Sequence, residues 1–197
     1  MKLVLASKNK KKLVEMNAIL NQLGIEVCSE AEAGVDIDVE ETGTTFEENS
    51  LLKAQAVMEA SGLPAIADDS GLCVDALQGA PGVYSARYGG EGLDDAGRTK
   101  LLLENMRGAN GPRTAKFVSV ITCCFPNGDV IAARGECPGT IAFASMGDGG
   151  FGYDPVFFIP HLKKTFAQLS AEEKNAISHR GRALEAFKVK LEEYLNK

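Results

Sequence analysis

The sequence predicts an α/β fold, and three observations carry that expectation. A short apolar run, Leu3 to Ala6, reads as a buried strand. It passes into a segment with Leu13, Met16, Leu20 and Leu23 at helical spacing and Gly24 as its stop. A second short run, Pro64-Ala65-Ile66-Ala67, ends in Asp68-Asp69-Ser70-Gly71. In an open α/β sheet, ligands sit where strands give way to loops at their carboxyl ends. Third, 115–125 is strongly β in character, Asn127-Gly128 is a hairpin signal, and Val130 to Ala133 returns.

Length and charge bound the function. A chain of 197 residues is expected to form one domain over 1–197, large enough for two lobes. Such a chain buries about 70% of its unfolded surface and needs no disulfide or metal to fold. A net charge of −6 argues against nucleic-acid binding, which wants a basic surface. The five cysteines are odd in number and lack metal-ligand spacing, which suggests reduced thiols in a cytosolic compartment. Met1 to Ala6 is too short for a signal-peptide core, and no run approaches the ~20 apolar residues of a membrane span. A soluble, cytoplasmic protein is expected, with no membrane partner.

Several segments carry candidate chemistry. Ser7-Lys8-Asn9-Lys10-Lys11-Lys12 lies at the first strand-to-helix junction, where free backbone N–H groups and the positive helix end favour an anion. A solvated lysine face is the competing reading, and the spacing is not that of a P-loop. Ile25 to Cys28 reads as a second strand. After Glu40-Glu41-Thr42-Gly43, two overlapping capping boxes, Thr44 with Glu47 and Thr45 with Glu48, open a helix to about Ala60. Asn49 and Lys53 share one face of it, so Lys53 is either a surface lysine or a second phosphate contact.

Asp68 and Asp69 alternate in direction if the strand persists, so one is expected at the site and the other as a brace. An Asp-Ser-Gly turn bonding its own backbone is the alternative. Asp94 caps a further helix running to Met106. Gly147-Asp148-Gly149-Gly150-Phe151-Gly152 matches G-x-G-x-x-G, yet a strand pattern follows where a dinucleotide site demands a helix. A flexible loop presenting Phe151, Tyr153 and Asp154 still suits an aromatic ring ligand. Ser170 to Glu173 is a capping box opening a helix with Lys174. His179-Arg180 then leads into a last helix carrying Ala183, Phe187, Leu191 and Leu195.

Together these segments closely resemble the inosine/xanthosine triphosphate pyrophosphatase family. The matching pieces are Ser7-x-Asn9-x-x-Lys12-x-x-Glu15, Glu41-Thr42-Gly43 with Phe46, Glu48-Asn49 and Lys53-Ala54. Ala67-Asp68-Asp69-Ser70-Gly71-Leu72, Gly79-Ala80-Pro81-Gly82, Ser85-Ala86-Arg87, Phe151-Gly152-Tyr153-Asp154-Pro155 and Ser178-His179-Arg180 continue the set in family order. One departure is Arg98, where the family usually carries asparagine.

The resemblance implies an elongated mixed β-sheet flanked by helices, two lobes with a central cleft, and a homodimer. It implies Mg²⁺-dependent hydrolysis of ITP, dITP or XTP to the monophosphate and pyrophosphate. Carried over by position, Ser7, Lys8, Asn9, Lys10, Lys11 and Lys12 hold phosphates with help from Lys53. Asp69 is the base and a metal contact, and Glu41 is a second metal contact. Ser70 touches substrate. Phe151, Gly152, Tyr153, Asp154, Lys174, His179 and Arg180 surround base and sugar, with Arg180 the expected donor to a 6-oxo group. A non-catalytic nucleotide sensor would use the same residues; metal-dependent turnover separates the two.

Overall fold

The computed structural model describes residues 1–90 and 92–196, with the side chain of Leu23, last of the first apolar stripe, outside the described residues. Strand β1 (Lys2–Leu5) buries three of its four residues, as a central strand must. Its pleat sends Leu3 and Leu5 into one core and Val4 into another. Helix α1 (Lys10–Leu20) lays Met16 and Leu20 on the first core, continues as one 3₁₀ turn, and stops at Gly24 with φ +68°. Strand β2 (Glu26–Ser29) pairs in parallel with β1, Leu5 opposite Ser29.

Helix α2 (Phe46–Ser61) starts at Thr45. Of the two possible capping boxes, Thr45 with Glu48 forms, and the Glu48 carboxylate also accepts from the Thr44 backbone N–H and hydroxyl. Its Ala54 and Val57 cover the Val4 side of β1. Strand β3 (Ala65–Val74) is longer than the apolar run predicts. Leu72 and Val74 are fully buried, and that burial carries the extended chain past Asp68-Asp69-Ser70-Gly71. These residues are therefore not a turn. The parallel partner ends first: β1 pairs with β3 only as far as Leu5 opposite Ile66, so Ala67 and then the two carboxylates follow beyond the last β1 pair.

Helix α3 (Asp95–Gly108) is capped by Asp94. Strands β4 (Thr114–Cys124) and β5 (Val130–Ile141) flank the Asn127-Gly128 turn, and β5 runs on past Ala133 to Ile141. Strands β6 (Phe157–Ile159) and β7 (Lys164–Thr165) are antiparallel. Helices α4 (Ala171–Ile177) and α5 (His179–Leu195) close the chain. The seven strands form one mixed sheet in the order β2-β1-β3-β4-β5-β6-β7.

The chain divides into two compact units. The first holds Met1–Asp69, Ser119–Gly135 and Arg180–Lys197; the second holds Ser70–Val118 and Glu136–His179. The core of the first is built on Leu3, Leu5, Leu20, Ile66, Ile121 and Phe187. That of the second is built on Leu72, Leu102, Phe117, Val156, Phe157 and Phe166. Among the described residues no helix is long and apolar enough to cross a membrane.

Candidate active site

In the first unit, the beginning of α1 divides the lysine run. Asn9 caps the helix, its Oδ1 accepting from the N–H groups of Lys11 (3.0 Å) and Lys12 (3.4 Å), while Ser7 Oγ accepts from the Asn9 N–H. The junction therefore does not present all the free N–H groups expected of it, because Asn9 takes two. Lys8 is exposed and pairs with Asp38 at 3.5 Å; Lys10 and Lys11 are exposed. Ser7, Lys8, Asn9 and Lys10 line a cavity of about 330 Å³ with Ser29, Glu30 and Val35. Lys12 alone of the four lysines turns inward, onto the Asp68 carboxylate at 2.9 Å and the Asp68 carbonyl at 3.1 Å.

Asp68 is the brace of the carboxylate pair. Fully buried, it accepts from Ser119 Oγ (2.6 Å), from Lys12 and from Arg180 through both Nε (3.1 Å) and Nη2 (2.9 Å). Burial pushes its carboxyl upward, but Arg180, Lys12 and the Ser119 hydroxyl outweigh that and hold it well below the usual carboxylate range. The third arm of Arg180 reaches Glu15. Arg180, which the resemblance places at the base, is bonded here to the carboxylates of Asp68 and Glu15. Its guanidinium is only 2% exposed and is committed to two carboxylates.

Asp69 belongs to a second cluster. Its Oδ1 lies 2.7 Å from Lys53 Nζ, which lies 2.8 Å from Glu41 Oε1 and 3.2 Å from the Asp68 carbonyl. Two ammonium groups, Lys12 and Lys53, thus converge on one carbonyl. The Asp69 Oδ2 atom is buried without a hydrogen-bond partner among the described residues. Burial raises the Asp69 carboxyl above its ordinary value despite Lys53, and Glu41 adds to the rise. Lys53 is raised too: Asp69 and Glu41 outweigh its desolvation.

Glu41 is placed by a loop that α2 holds down. The Gly43 N–H donates to Asn49 Oδ1 at 2.8 Å, and a Cβ on Gly43 would lie 2.6 Å from that oxygen and 2.7 Å from Glu48 Cβ.

The second unit gathers the residues assigned to the base except Arg180, which belongs to the first. Asp154 is buried, with Oδ2 accepting from Lys174 Nζ (2.7 Å) and from the Phe151 N–H (2.9 Å). Gly150, at φ +70°, has no room for a Cβ, which would fall 2.0 Å from Asp154 Oδ2. The carboxylate thus folds the glycine loop around itself and sets Lys174 Nζ 4.6 Å from the Phe151 ring centroid. Gly152 is fixed from outside the loop, its N–H donating to Asp95 Oδ2 at 2.8 Å. The departing residue Arg98 bonds the other oxygen of Asp95, at 3.4 Å.

Tyr153 is a brace and not a presented ring. It is 4% exposed, and its hydroxyl donates to the Ser85 carbonyl at 2.7 Å. Ser85 Oγ in turn accepts from the Leu72 N–H and donates to the Gly82 carbonyl, which ties β3 to the turn after it. His179 stacks on Phe117 with ring centroids 4.6 Å apart and 12° between planes, and Phe166 is parallel to the same set. The neighbours His179 and Arg180 therefore separate: the imidazole joins an aromatic cluster, the guanidinium the Asp68 network.

The Ham1 family model matches residues 3–190. The chain belongs to the Ham1 family. It is 52% identical over 193 residues to a protein named dITP/XTP pyrophosphatase from Haemophilus influenzae, covering 96% of this chain and 98% of that one. It is 48% identical over 194 residues to one of the same name from Clostridium perfringens, with 95% of each covered. A Ham1 protein from Coxiella burnetii has a solved structure that superposes with a TM-score of 0.90 at 44% identity, covering 98% of this chain and 99% of that chain.

For a Ham1-family chain, some site residues escaped the reading of the sequence. Asp68 had no definite role there, and Ser119, Phe117 and Phe166 were not singled out. Ser119 carries no local signal: it is one serine in an apolar strand, and only its 2.6 Å bond to Asp68 across the sheet reveals it. Glu15 stood in the matched motif at the helical spacing from Lys12 that points both toward one face.

Proposed function

We propose that this chain is a nucleoside triphosphate pyrophosphatase, one domain acting in the cytoplasm as a homodimer on ITP, dITP and XTP with Mg²⁺. The observation that carries the reading is the cluster of Asp69, Glu41, Lys53 and Lys12 at the end of the parallel strands. Ammonium groups for phosphate oxygens stand beside carboxylates for a cation. The names of the relatives supply the substrate class.

The donor set fits Mg²⁺. Glu41 and Asp69 converge on one point, and Asp69 keeps a buried oxygen without a hydrogen-bond partner. Among the described residues no group of three or more His, Cys, Asp or Glu forms a closed metal cage. Mg²⁺ usually takes one or two carboxylates and fills its shell with phosphate oxygens and water. Charge points the same way, since four carboxylates (Glu15, Glu41, Asp68, Asp69) face three cations, and a triphosphate adds about four negative charges. When bound, the ion supplies charge neutralisation and lowers the pKa of the attacking water.

Asp69, raised above its ordinary value by burial, takes the water's proton at Oδ2. Attack at the α phosphorus breaks its bond to the bridging oxygen and expels pyrophosphate, whereas attack at the β phosphorus breaks the other bridging bond and expels the monophosphate; both routes give monophosphate and pyrophosphate. Lys12, fixed through Asp68 by Arg180, and Lys53 meet the negative charge that shifts along the phosphates as that bridge opens. In the second unit Phe151 offers a face to the purine. Lys174, 4.6 Å from the Phe151 ring centroid, is a donor to the 6-oxo group, since an ammonium only donates and would oppose the 6-amino group of adenine. Each such mismatch leaves a buried polar group unpaired at about 1–3 kcal/mol, a factor of roughly 5–150.

A substrate panel tests this. kcat/KM for ITP, dITP and XTP is expected to exceed that for ATP and GTP by about a hundredfold or more, and Lys174→Met to narrow the ITP/ATP ratio. Equal rates on ATP and ITP would contradict the reading, and binding without turnover at saturating Mg²⁺ would favour the sensor. Sedimentation equilibrium reads the dimer.

A further inference from the structure

The cluster around Lys53 contains a competition. Lys53 Nζ sits 2.7 Å from Asp69 Oδ1, 2.8 Å from Glu41 Oε1 and 3.2 Å from the Asp68 carbonyl. Three oxygens from two stretches of chain, the loop before α2 and strand β3, thus surround one nitrogen. A divalent ion that takes Glu41 Oε1 and Asp69 Oδ1 cannot share those same oxygens with an ammonium at hydrogen-bonding distance, because the two cations would lie within van der Waals reach of each other. The backbone of Lys53 is fixed in the middle of α2, but its four-carbon stem is free to turn about its own bonds. Lys12, in contrast, is held by the carboxylate of Asp68, which Arg180 and Ser119 also fix. Of the two inward lysines, Lys53 is the one whose partners are the proposed metal ligands.

We infer that Lys53 is the site's own counter-ion. In the nucleotide-free protein it holds Glu41 and Asp69 together and keeps the divalent ion out, and it yields them when a triphosphate offers its oxygens to the ammonium. Metal and triphosphate therefore enter together, and the empty enzyme does not carry a bound ion ready to activate water. The inference rests on the proposed function for the identity of the ligands, and its test involves no turnover.

Mn²⁺ is titrated into nucleotide-free protein and followed by the EPR signal of the free aqua ion. Lys53→Met, which keeps the stem and removes the charge, is expected to bind Mn²⁺ about tenfold or more tightly than wild type. Lys53→Arg, which keeps the charge, is expected to bind it no better than wild type. Because Lys53→Met leaves two carboxylates in a half-buried site without their cation, its melting temperature is read with and without Mn²⁺. Mn²⁺ is expected to raise it well beyond the rise in wild type. Equal Mn²⁺ affinity in wild type and Lys53→Met overturns the inference. So does a Lys53→Met protein that stays unfolded at saturating Mn²⁺, since the dication should replace the lost ammonium. If the wild type makes pyrophosphate from ITP but Lys53→Met fails these tests, only the counter-ion role falls. If Lys53→Met binds Mn²⁺ more tightly and the wild type turns over no nucleotide, only the enzymatic reading falls.

Discussion

Asp69→Asn is expected to give a folded protein whose turnover of ITP has dropped by more than about a thousandfold. Removing a general base alone removes about 10²–10⁴, and this substitution also removes an oxygen anion from the cation site. The amide keeps the shape of the carboxylate and still accepts a hydrogen bond at Oδ1 from Lys53, so the fold should tolerate it. Lys53 also retains Glu41 at 2.8 Å. Steady-state rates with pyrophosphate detection, beside a circular-dichroism melt, check both halves. A mutant within tenfold of wild type would remove Asp69 from the chemistry.

Arg180→Ala is expected to strike stability first. It strips the guanidinium from Asp68, which is 0% exposed, and from Glu15, and breaking a buried pair in this way costs about 3–5 kcal/mol. For a chain of this size that is a fall of roughly 10 °C in Tm. Asp68 keeps Lys12 and Ser119, so the carboxylate remains ionised at neutral pH. The folded-state pKa of Asp68 is depressed, so its contribution is complete above the unfolded value of about 3.9. It is lost only as the pH falls toward the folded value. The wild-type Tm should therefore hold from neutral pH to about 5 as far as this residue is concerned. In the variant, ITP and ATP should lose the same factor in kcat/KM, because Arg180 acts through Asp68 and Lys12 at the phosphate end. A large loss on ITP alone would return Arg180 to the base.

Local rules explain why some of this was legible in the sequence. Capping boxes, glycine stops and a hairpin dipeptide are written in three or four adjacent residues. Thr45 with Glu48, Gly24 and Asn127-Gly128 accordingly stand where the pattern put them. The strand through Asp68 and Asp69 was read as too short, because charge looks like a strand end. Tertiary burial of Leu72 and Val74 decides otherwise. The alternation of the two carboxylates was visible, but which one braces depends on what lies beside each. Arg180 comes from 112 residues further on and Ser119 from 51, distances that no local pattern records.

The lysine run shows a related limit. Four cations at one junction looked equivalent, and only the helix phase and the Asn9 cap determine that Lys12 alone faces inward. His179 and Arg180 looked like a pair because they are adjacent. As the first residues of a helix they point about 100° apart, which is enough to send one to Phe117 and the other to Asp68.

The central claim is that Asp69, Glu41 and the two inward lysines cleave a triphosphate between its α and β phosphates. Product analysis tests it most directly. The wild-type protein is incubated with ITP and Mg²⁺, and pyrophosphate and orthophosphate are measured separately. One pyrophosphate is predicted for each IMP formed, with orthophosphate appearing only after an inorganic pyrophosphatase is added. Orthophosphate released directly, with IDP as the other product, would contradict the account.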